Sequence, residues 1–126
     1  MHFRSLLAIL TIACVCAACS GDGCDLVIIG PPVLNHPPVA DAGPDQAVKF
    51  GDPVRLSCAG STDPDGDLLT CEYEQVAGQA VSVSQLDNVT ATFIASTVSA
   101  TIVLEAAVFD GTVFSYDTVE VRVVGP

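Results

Sequence analysis

Beyond residue 38, apolar and polar residues alternate along short segments that are separated by clusters of Gly, Pro, Asp and Ser. The alternation is clearest in 101–109 and in 117–123, where apolar residues occupy every second position. A period of two places successive side chains on opposite faces of a β-strand. Asp110-Gly111 favours a turn between the two segments, so the pattern predicts a β-hairpin.

Earlier segments continue this pattern. Apolar residues alternate with polar ones in 54–58 and in 69–74, and 81–83 and 89–94 are shorter candidates for strands. After the N-terminal apolar run, no window carries the apolar stripe of an amphipathic helix. The pattern therefore predicts an all-β domain of the sandwich type.

The first residues have the organisation of a signal peptide. A short, positively charged start over residues 1–5 precedes a mostly apolar run from Leu6 to Val15. A run of this length is too short to cross a bilayer as a helix, and it is typical of the hydrophobic region of a signal peptide. We therefore predict a signal peptide over residues 1–18.

Ala17, Ala18 and Cys19 resemble the lipobox of bacterial lipoproteins. In that family, small residues precede a cysteine that receives a diacylglyceryl group and becomes the new N-terminus. The resemblance implies a lipid on Cys19, and Ser20 resembles the signal that sorts such proteins to the cell outer membrane. Cys16 stands where Leu is usual, which leaves Cys16 as an alternative site. Cleavage after Ala18 without lipidation is a further alternative.

Residues 19–37 are predicted to form a stalk between the membrane and the domain. Their polar, glycine-containing start favours flexibility, and the proline pairs at 31–32 and 37–38 favour extended backbone. The domain itself is predicted over residues 38–126.

The charge of the chain excludes one class of partner. The chain has 15 acidic and four basic residues, and its formal net charge is −11. Arg4 lies in the signal peptide, which leaves Lys49, Arg55 and Arg122 as the bases of the mature chain. Nucleic-acid binding requires a basic surface that neutralises phosphates. We therefore expect no nucleic-acid partner.

Three motifs, in order along the chain, resemble the repeat of the polycystic kidney disease (PKD) family. Residues 35–46 resemble its opening, the loop Gly60-Ser-Thr-Asp-Pro-Asp-Gly-Asp67 resembles its signature, and 108–111 with 117–121 resemble its closing strands. The resemblance covers about residues 35–124. It implies an immunoglobulin-like β-sandwich of about seven antiparallel strands, used outside the cell as a spacer or a binding unit.

Two cysteines depart from the PKD pattern, and Tyr73 stands where bacterial members usually carry a core Trp. Alternation predicts that Cys58 shares a buried face with Leu56, and Cys71 with Tyr73. The PKD resemblance places the two strands in facing sheets, so it implies a Cys58–Cys71 disulfide in an oxidising compartment. Two buried free thiols are the alternative, and Cys24 in the stalk is a competing partner.

Asp63, Asp65 and Asp67 place three carboxylates at alternating positions of the signature loop. Oxygen ligands at this spacing can converge on one calcium ion, with Gly66 permitting a sharp turn. The loop lacks the downstream bidentate Glu of an EF-hand. Asp-Pro-Asp-Gly is also a turn in which Asp side chains accept hydrogen bonds from backbone N–H groups. The sequence is therefore compatible with both interpretations of the loop, a calcium site and a metal-free turn.

The residues favour binding over catalysis. The mature chain has one histidine, His36, in the predicted stalk, so a Ser-His-Asp arrangement lacks a general base. Glu72 and Glu74 share a strand face, which is more typical of a solvated edge than of a catalytic pair. We therefore expect no enzymatic activity.

The expected function is a lipid-anchored surface module that binds protein or carbohydrate. A structural spacer without a ligand of its own is the alternative. A contiguous exposed aromatic or apolar patch would favour binding, whereas a uniform surface of Thr, Ser and Glu would favour the spacer.

Overall fold

The structure is a computed structural model that describes residue 30 and residues 32–125. These residues form seven β-strands and no helix. The strands are β1 (Gln46–Lys49), β2 (Pro53–Ser57), β3 (Thr70–Ala77), β4 (Ser84–Gln85), β5 (Thr90–Ile94), β6 (Ala100–Phe109) and β7 (Phe114–Val124).

The strands form two sheets, as the predicted sandwich requires. One sheet has four strands in the order β1-β7-β6-β3, and the other has three in the order β2-β5-β4. β1 pairs with β7 in parallel, and every other pairing is antiparallel. The immunoglobulin-like, all-β architecture is therefore confirmed, with β1 as the exception to antiparallel order.

The long hairpin of β6 and β7 provides one wall of the core. Its ten register pairs run from Ala100↔Val123 to Phe109↔Phe114, and seven inward-facing apolar side chains, from Ile102 to Val108 and from Val119 to Val123, are fully buried. Strand β2 contributes the opposite wall through Val54 and Leu56. The core contains Ala42, Val54, Leu56, Cys58, Cys71, Tyr73, Ala91, Phe93, Ala95, Ile102, Leu104, Ala106, Val108, Val119, Val121 and Val123.

Two strands differ from the sequence predictions. The short strand predicted at 81–83 lies instead at Ser84–Gln85, where it pairs with Ala91 and Thr92 of β5. Val81 and Val83 pack against the core from outside a strand, because two apolar positions indicate burial without fixing a pairing register. Strand β1 was not predicted, because its sequence Gln-Ala-Val-Lys does not alternate apolar and polar residues.

The compact unit that contains both sheets begins at Asn35, three residues before the predicted boundary at residue 38. An isolated bridge between Val39 and Thr62 joins the first residues of this unit to the signature loop, residues 60–67, which we call the Asp-rich loop. The predicted signal peptide, Cys19 and most of the predicted stalk lie outside the described residues. Within the described part of the chain, no helix is long and apolar enough to cross a membrane.

Candidate functional site

Three aromatic side chains form a stripe on the outer face of the four-stranded sheet. Phe109 ends β6 and lies directly opposite Phe114, the first residue of β7, and Tyr116 follows on the same face. The Phe109 and Phe114 rings stack with centroids 4.4 Å apart, and the Phe114 and Tyr116 rings are 6.2 Å apart. Phe114 and Tyr116 are 50% and 60% exposed. We call Phe109, Phe114 and Tyr116 the aromatic stripe.

The side chains of the aromatic stripe point outward because successive residues of a strand face opposite sides of the sheet. Val108 of β6 and Val119 of β7 point into the core, so the residues next to them along each strand point to solvent. The stripe therefore belongs to the two longest strands of the molecule, which hold it rigidly.

Asp110 fixes the turn that joins these two strands. One oxygen of its carboxylate, Oδ1, accepts hydrogen bonds from the backbone N–H groups of Thr112 and Val113, both at 2.7 Å. The other, Oδ2, accepts a 2.9 Å hydrogen bond from Asn35 Nδ2. These hydrogen bonds, led by those from Val113 and Asn35, hold the pKa of Asp110 below its usual value. Gly111, at φ +99°, supplies the left-handed backbone of the turn.

Beside the aromatic stripe, the small residue Ala107 lies between two larger ones, and we call the space above its methyl group the slot. In register, Ala107 of β6 lies between Tyr116 of β7 and Glu72 of β3. Adjacent strands are about 4.8 Å apart, so the Tyr116 and Glu72 backbones are separated by about 10 Å across a methyl group. The slot thus has an aromatic ring on one side and a carboxylate on the other.

The next row of the same face pairs two glutamates across neighbouring strands. Glu74 of β3 is the direct cross-strand partner of Glu105 of β6. Like charges placed directly opposite on a sheet face are destabilising. Within the described residues, neither Glu74 nor Glu105 forms a salt bridge. Arg122 pairs with Thr101, four residues beyond Glu105 along β6, which is about 14 Å.

The carboxylates of Asp63, Asp65 and Asp67 lie within 4.8 Å of one another, as the predicted site requires. Asp63 Oδ1 accepts hydrogen bonds from the backbone N–H groups of Asp65 and Asp67, at 2.8 and 3.1 Å. This is the turn geometry that was the alternative to calcium. His36 also contacts the loop, because its backbone N–H donates to Asp65 Oδ2 at 2.6 Å.

These contacts move the pKa values of two loop carboxyls in opposite directions. The backbone and side-chain hydrogen bonds from His36 lower the pKa of Asp65. Desolvation, followed by the charges of Asp63, Asp65 and Asp110, raises the pKa of Asp67.

A cation at this loop would bind through the carboxylate oxygens that accept no hydrogen bond. Asp63 Oδ2 is buried and has no hydrogen-bond partner among the described residues. It lies beside a cavity of about 430 Å³ that Asp67, Leu68 and Leu69 also line. Calcium takes six to eight oxygen ligands. Asp63 Oδ2 and the carboxylate of Asp67 fit that chemistry, whereas Asp65 is already engaged by His36.

The predicted disulfide is present between Cys58 and Cys71. Their Cα atoms are 6.7 Å apart, and the bridge joins the segment that follows β2 to β3 in the facing sheet. The carbonyl oxygens of Val89 and Asn88, just before β5, accept hydrogen bonds from the backbone N–H groups of Cys58 and Cys71, so one segment contacts both ends of the bridge. The inter-sheet disulfide is therefore confirmed.

The aromatic stripe was not predicted from the sequence as a site. Its residues lie at outward positions of the predicted hairpin, and this was the signal that could have found them. The register that sets Phe114 opposite Phe109, and Tyr116 beside Glu72, depends on the length of the turn and on the order of the strands.

Comparison with solved structures supports a PKD-like immunoglobulin fold. The PKD domain of the KIAA 1837 protein aligns with a TM-score of 0.58 and 27% identity, over 68% of this chain and 85% of that one. The PKD domain of human KIAA0319 aligns with a TM-score of 0.56 and 16% identity, over 86% of this chain and 93% of that one.

A nucleoside hydrolase-related hypothetical protein from Saccharophagus degradans, associated with carbohydrate metabolism, is also similar. The TM-score is 0.61 at 23% identity, over 71% of this chain but only 26% of that one. The likeness thus concerns about a quarter of that protein and shows the fold. No protein-family model matches the sequence, and no curated protein matches it.

Proposed function

We propose that this PKD-like immunoglobulin fold is a binding module of the cell envelope, and that the aromatic stripe is its ligand face. The chain is held at the outer membrane through a lipid on Cys19, and the domain performs no catalysis. The observation that carries the proposal is the exposure of two stacked aromatic residues, Phe114 and Tyr116, on a rigid sheet.

An exposed aromatic stripe supports binding better than it supports a spacer. Aromatic side chains are enriched at protein interfaces, and they provide a large contact area at a small cost in conformational entropy. A spacer has no use for stacked rings in solvent, where apolar patches promote aggregation. The PKD-like neighbours are consistent with an extracellular module that binds or adheres.

The absence of catalysis is proposed from the chemistry of the available groups. His36 is the one histidine after the predicted signal peptide, and its Nδ1 lies 2.9 Å from Asp65 Oδ1. An imidazole held in an exposed loop lacks the positioned nucleophile that acid–base catalysis needs.

An array of immobilised oligosaccharides and peptides tests the binding proposal. The full chain in detergent micelles is expected to bind a subset of the probes. The double variant Phe114→Ser/Tyr116→Ser is expected to lose about tenfold or more in affinity for them, as aromatic anchors of interfaces do. The matched control is Leu86→Ser/Ile94→Ser, which removes similarly exposed apolar side chains outside the four-stranded sheet. Equal binding by both double variants would contradict the proposal.

Anchoring through Cys19 has its own test. Mass spectrometry of the mature N-terminus is expected to show a lipid-modified Cys19, and Cys19→Ala is expected to release the protein or leave it unprocessed. Several acyl chains on one cysteine anchor firmly, because each buried CH₂ contributes about 0.8 kcal/mol. An unmodified N-terminus at Cys19 or Ser20 would refute anchoring while leaving the ligand face untouched.

Calcium at the Asp-rich loop is a second proposal, favoured by the unpartnered oxygen of Asp63. A ligand that binds only the native state stabilises it, so the melting temperature is expected to rise in millimolar calcium. Asp63→Asn is expected to abolish the rise, because it replaces the carboxylate whose Oδ2 has no hydrogen-bond partner. Equal melting temperatures with and without calcium would leave the hydrogen-bonded turn as the complete account of this loop.

A further inference from the structure

The charges around the aromatic stripe carry information about the chemistry of its ligand. On the outer face of the four-stranded sheet, Glu72, Glu74 and Glu105 occupy two successive rows beside Tyr116. Within the described residues none of the three forms a salt bridge. The basic residues of this face, Lys49 and Arg122, lie toward its other end.

We infer that the ligand of this face is a cationic polypeptide segment, whose Lys or Arg side chains lie across Tyr116 and pair with Glu72, Glu74 and Glu105. The inference rests on the proposed binding function and names its ligand class. A sugar would use the aromatic rings, but it would leave the charge of three adjacent carboxylates uncompensated.

The slot over Ala107 fits a cationic side chain in particular. An ammonium or guanidinium group over the face of Tyr116 is attracted by the ring quadrupole. The same group reaches the carboxylate of Glu72 across the small Ala107 side chain. The long apolar stem of Lys or Arg can cover the stacked Phe109 and Phe114 rings while its charged end meets the carboxylates.

Glu74 and Glu105, the acidic pair, also favour a cationic ligand. The two residues are direct cross-strand partners, a placement in which like charges repel each other. A ligand cation between them replaces repulsion with two attractions, so the pair favours the bound state over the free one. The formal net charge of −11 also accelerates the encounter with a basic partner.

Fluorescence anisotropy of fluorescein-labelled nona-arginine, titrated with the full chain in neutral detergent micelles, tests this inference. The wild-type chain is expected to bind, and added salt is expected to weaken binding. Glu74→Gln/Glu105→Gln is expected to bind about fivefold more weakly, since two exposed ion pairs are lost. Asp22→Asn/Asp25→Asn removes the same formal charge from the N-terminal segment and is the matched control, expected to bind as the wild type does.

The outcomes separate the ligand class from the binding function. No binding of nona-arginine, or an equal loss in the two double variants, overturns the cationic ligand. If neutral oligosaccharides bind instead and Phe114→Ser/Tyr116→Ser removes that binding, the proposed function stands and its ligand is carbohydrate. If Phe114→Ser/Tyr116→Ser leaves the binding of every probe intact, the aromatic stripe is not the ligand face and both proposals fail.

Discussion

The hydroxyl group of Tyr73 donates a 2.9 Å hydrogen bond to the backbone carbonyl of Ala42. Both residues are buried, and the bond ties β3 to the segment that precedes β1. Burial, with smaller contributions from the charges of Asp41 and Asp117, raises the pKa of Tyr73 to about 12. Tyr73 thus lies in the core and uses its hydroxyl group to satisfy a buried carbonyl.

Tyr73→Phe is expected to lower the free energy of unfolding by about 1–2 kcal/mol, because it leaves the Ala42 carbonyl buried without a donor. A group whose pKa is raised by folding contributes stability that is complete below its unfolded pKa. That contribution is lost as the pH rises through the folded value. The wild type should therefore lose stability between pH 10 and 12, the usual and folded values of Tyr73, and the variant should lack this component.

Urea denaturation at neutral and at alkaline pH measures both effects. Tyr116→Phe is the matched control, because Tyr116 is exposed on the outer face of the sheet. Identical unfolding curves for the two variants would show that the Tyr73 hydroxyl group contributes nothing to stability.

The main elements of the fold could be predicted from local sequence. A strict period of two in 101–109 and 117–123 predicts the hairpin, and its apolar residues are the most buried of the core. Strand β4 and strand β1 could not be predicted in the same way. Two-residue β4 exists because Ser84 and Gln85 pair with β5, and β1 exists because it lies beside β7. Both depend on long-range pairing rather than on local pattern.

The candidate sites also differ in whether local sequence could predict them. Cys58, Cys71 and the Asp-rich loop could be found because residue type and spacing alone suggest their chemistry. The aromatic stripe combines residues whose neighbours come from three strands, so it becomes visible only when the strand order and register are known. The engagement of Asp65 by His36 was missed for a further reason. The PKD-like opening that contains His36 was assigned to the stalk, whereas it belongs to the compact unit.

Removal of the disulfide by Cys58→Ala/Cys71→Ala is expected to lower the free energy of unfolding by about 3 kcal/mol. The bridge closes a sequence separation of 13 residues, and its absence enlarges the conformational freedom of the unfolded chain. Urea denaturation of wild type and variant gives the difference. Alkylation followed by non-reducing peptide mapping is the control, and two modifiable thiols at Cys58 and Cys71 in protein purified without reductant would contradict the bridge.

Asp110→Ala is expected to destabilise the β6–β7 hairpin. It should also reduce the loss of stability that the wild type shows when the pH falls below about 4. Hydrogen bonds to the Asp110 carboxylate lower its pKa, so its contribution is complete above the ordinary pKa of about 4 and is lost as the pH falls through the lower folded value. Thermal unfolding at neutral pH and in acid measures the change. Glu120→Gln, on the exposed outer face, is the control. An equal acid dependence in wild type and Asp110→Ala would exclude this role.

Glu105→Gln is expected to stabilise the free protein by about 0.5 kcal/mol, because it removes the cross-strand repulsion with Glu74. The same substitution should weaken the binding of a cationic peptide. Thermal unfolding without ligand and anisotropy titration with nona-arginine give the two readouts on one protein. A variant that is less stable than the wild type would show that the acidic pair carries no strain in the free state.

Site-specific photocrosslinking in intact cells tests the ligand face most directly. A benzoylphenylalanine at position 114 reports on the aromatic stripe, and one at position 94 replaces Ile94, an apolar residue that is 61% exposed on the other sheet. Ultraviolet irradiation is expected to yield a discrete crosslinked partner from position 114 and none from position 94. The same adducts from both positions, or none from position 114, would contradict the assignment of the aromatic stripe as the surface through which this protein binds.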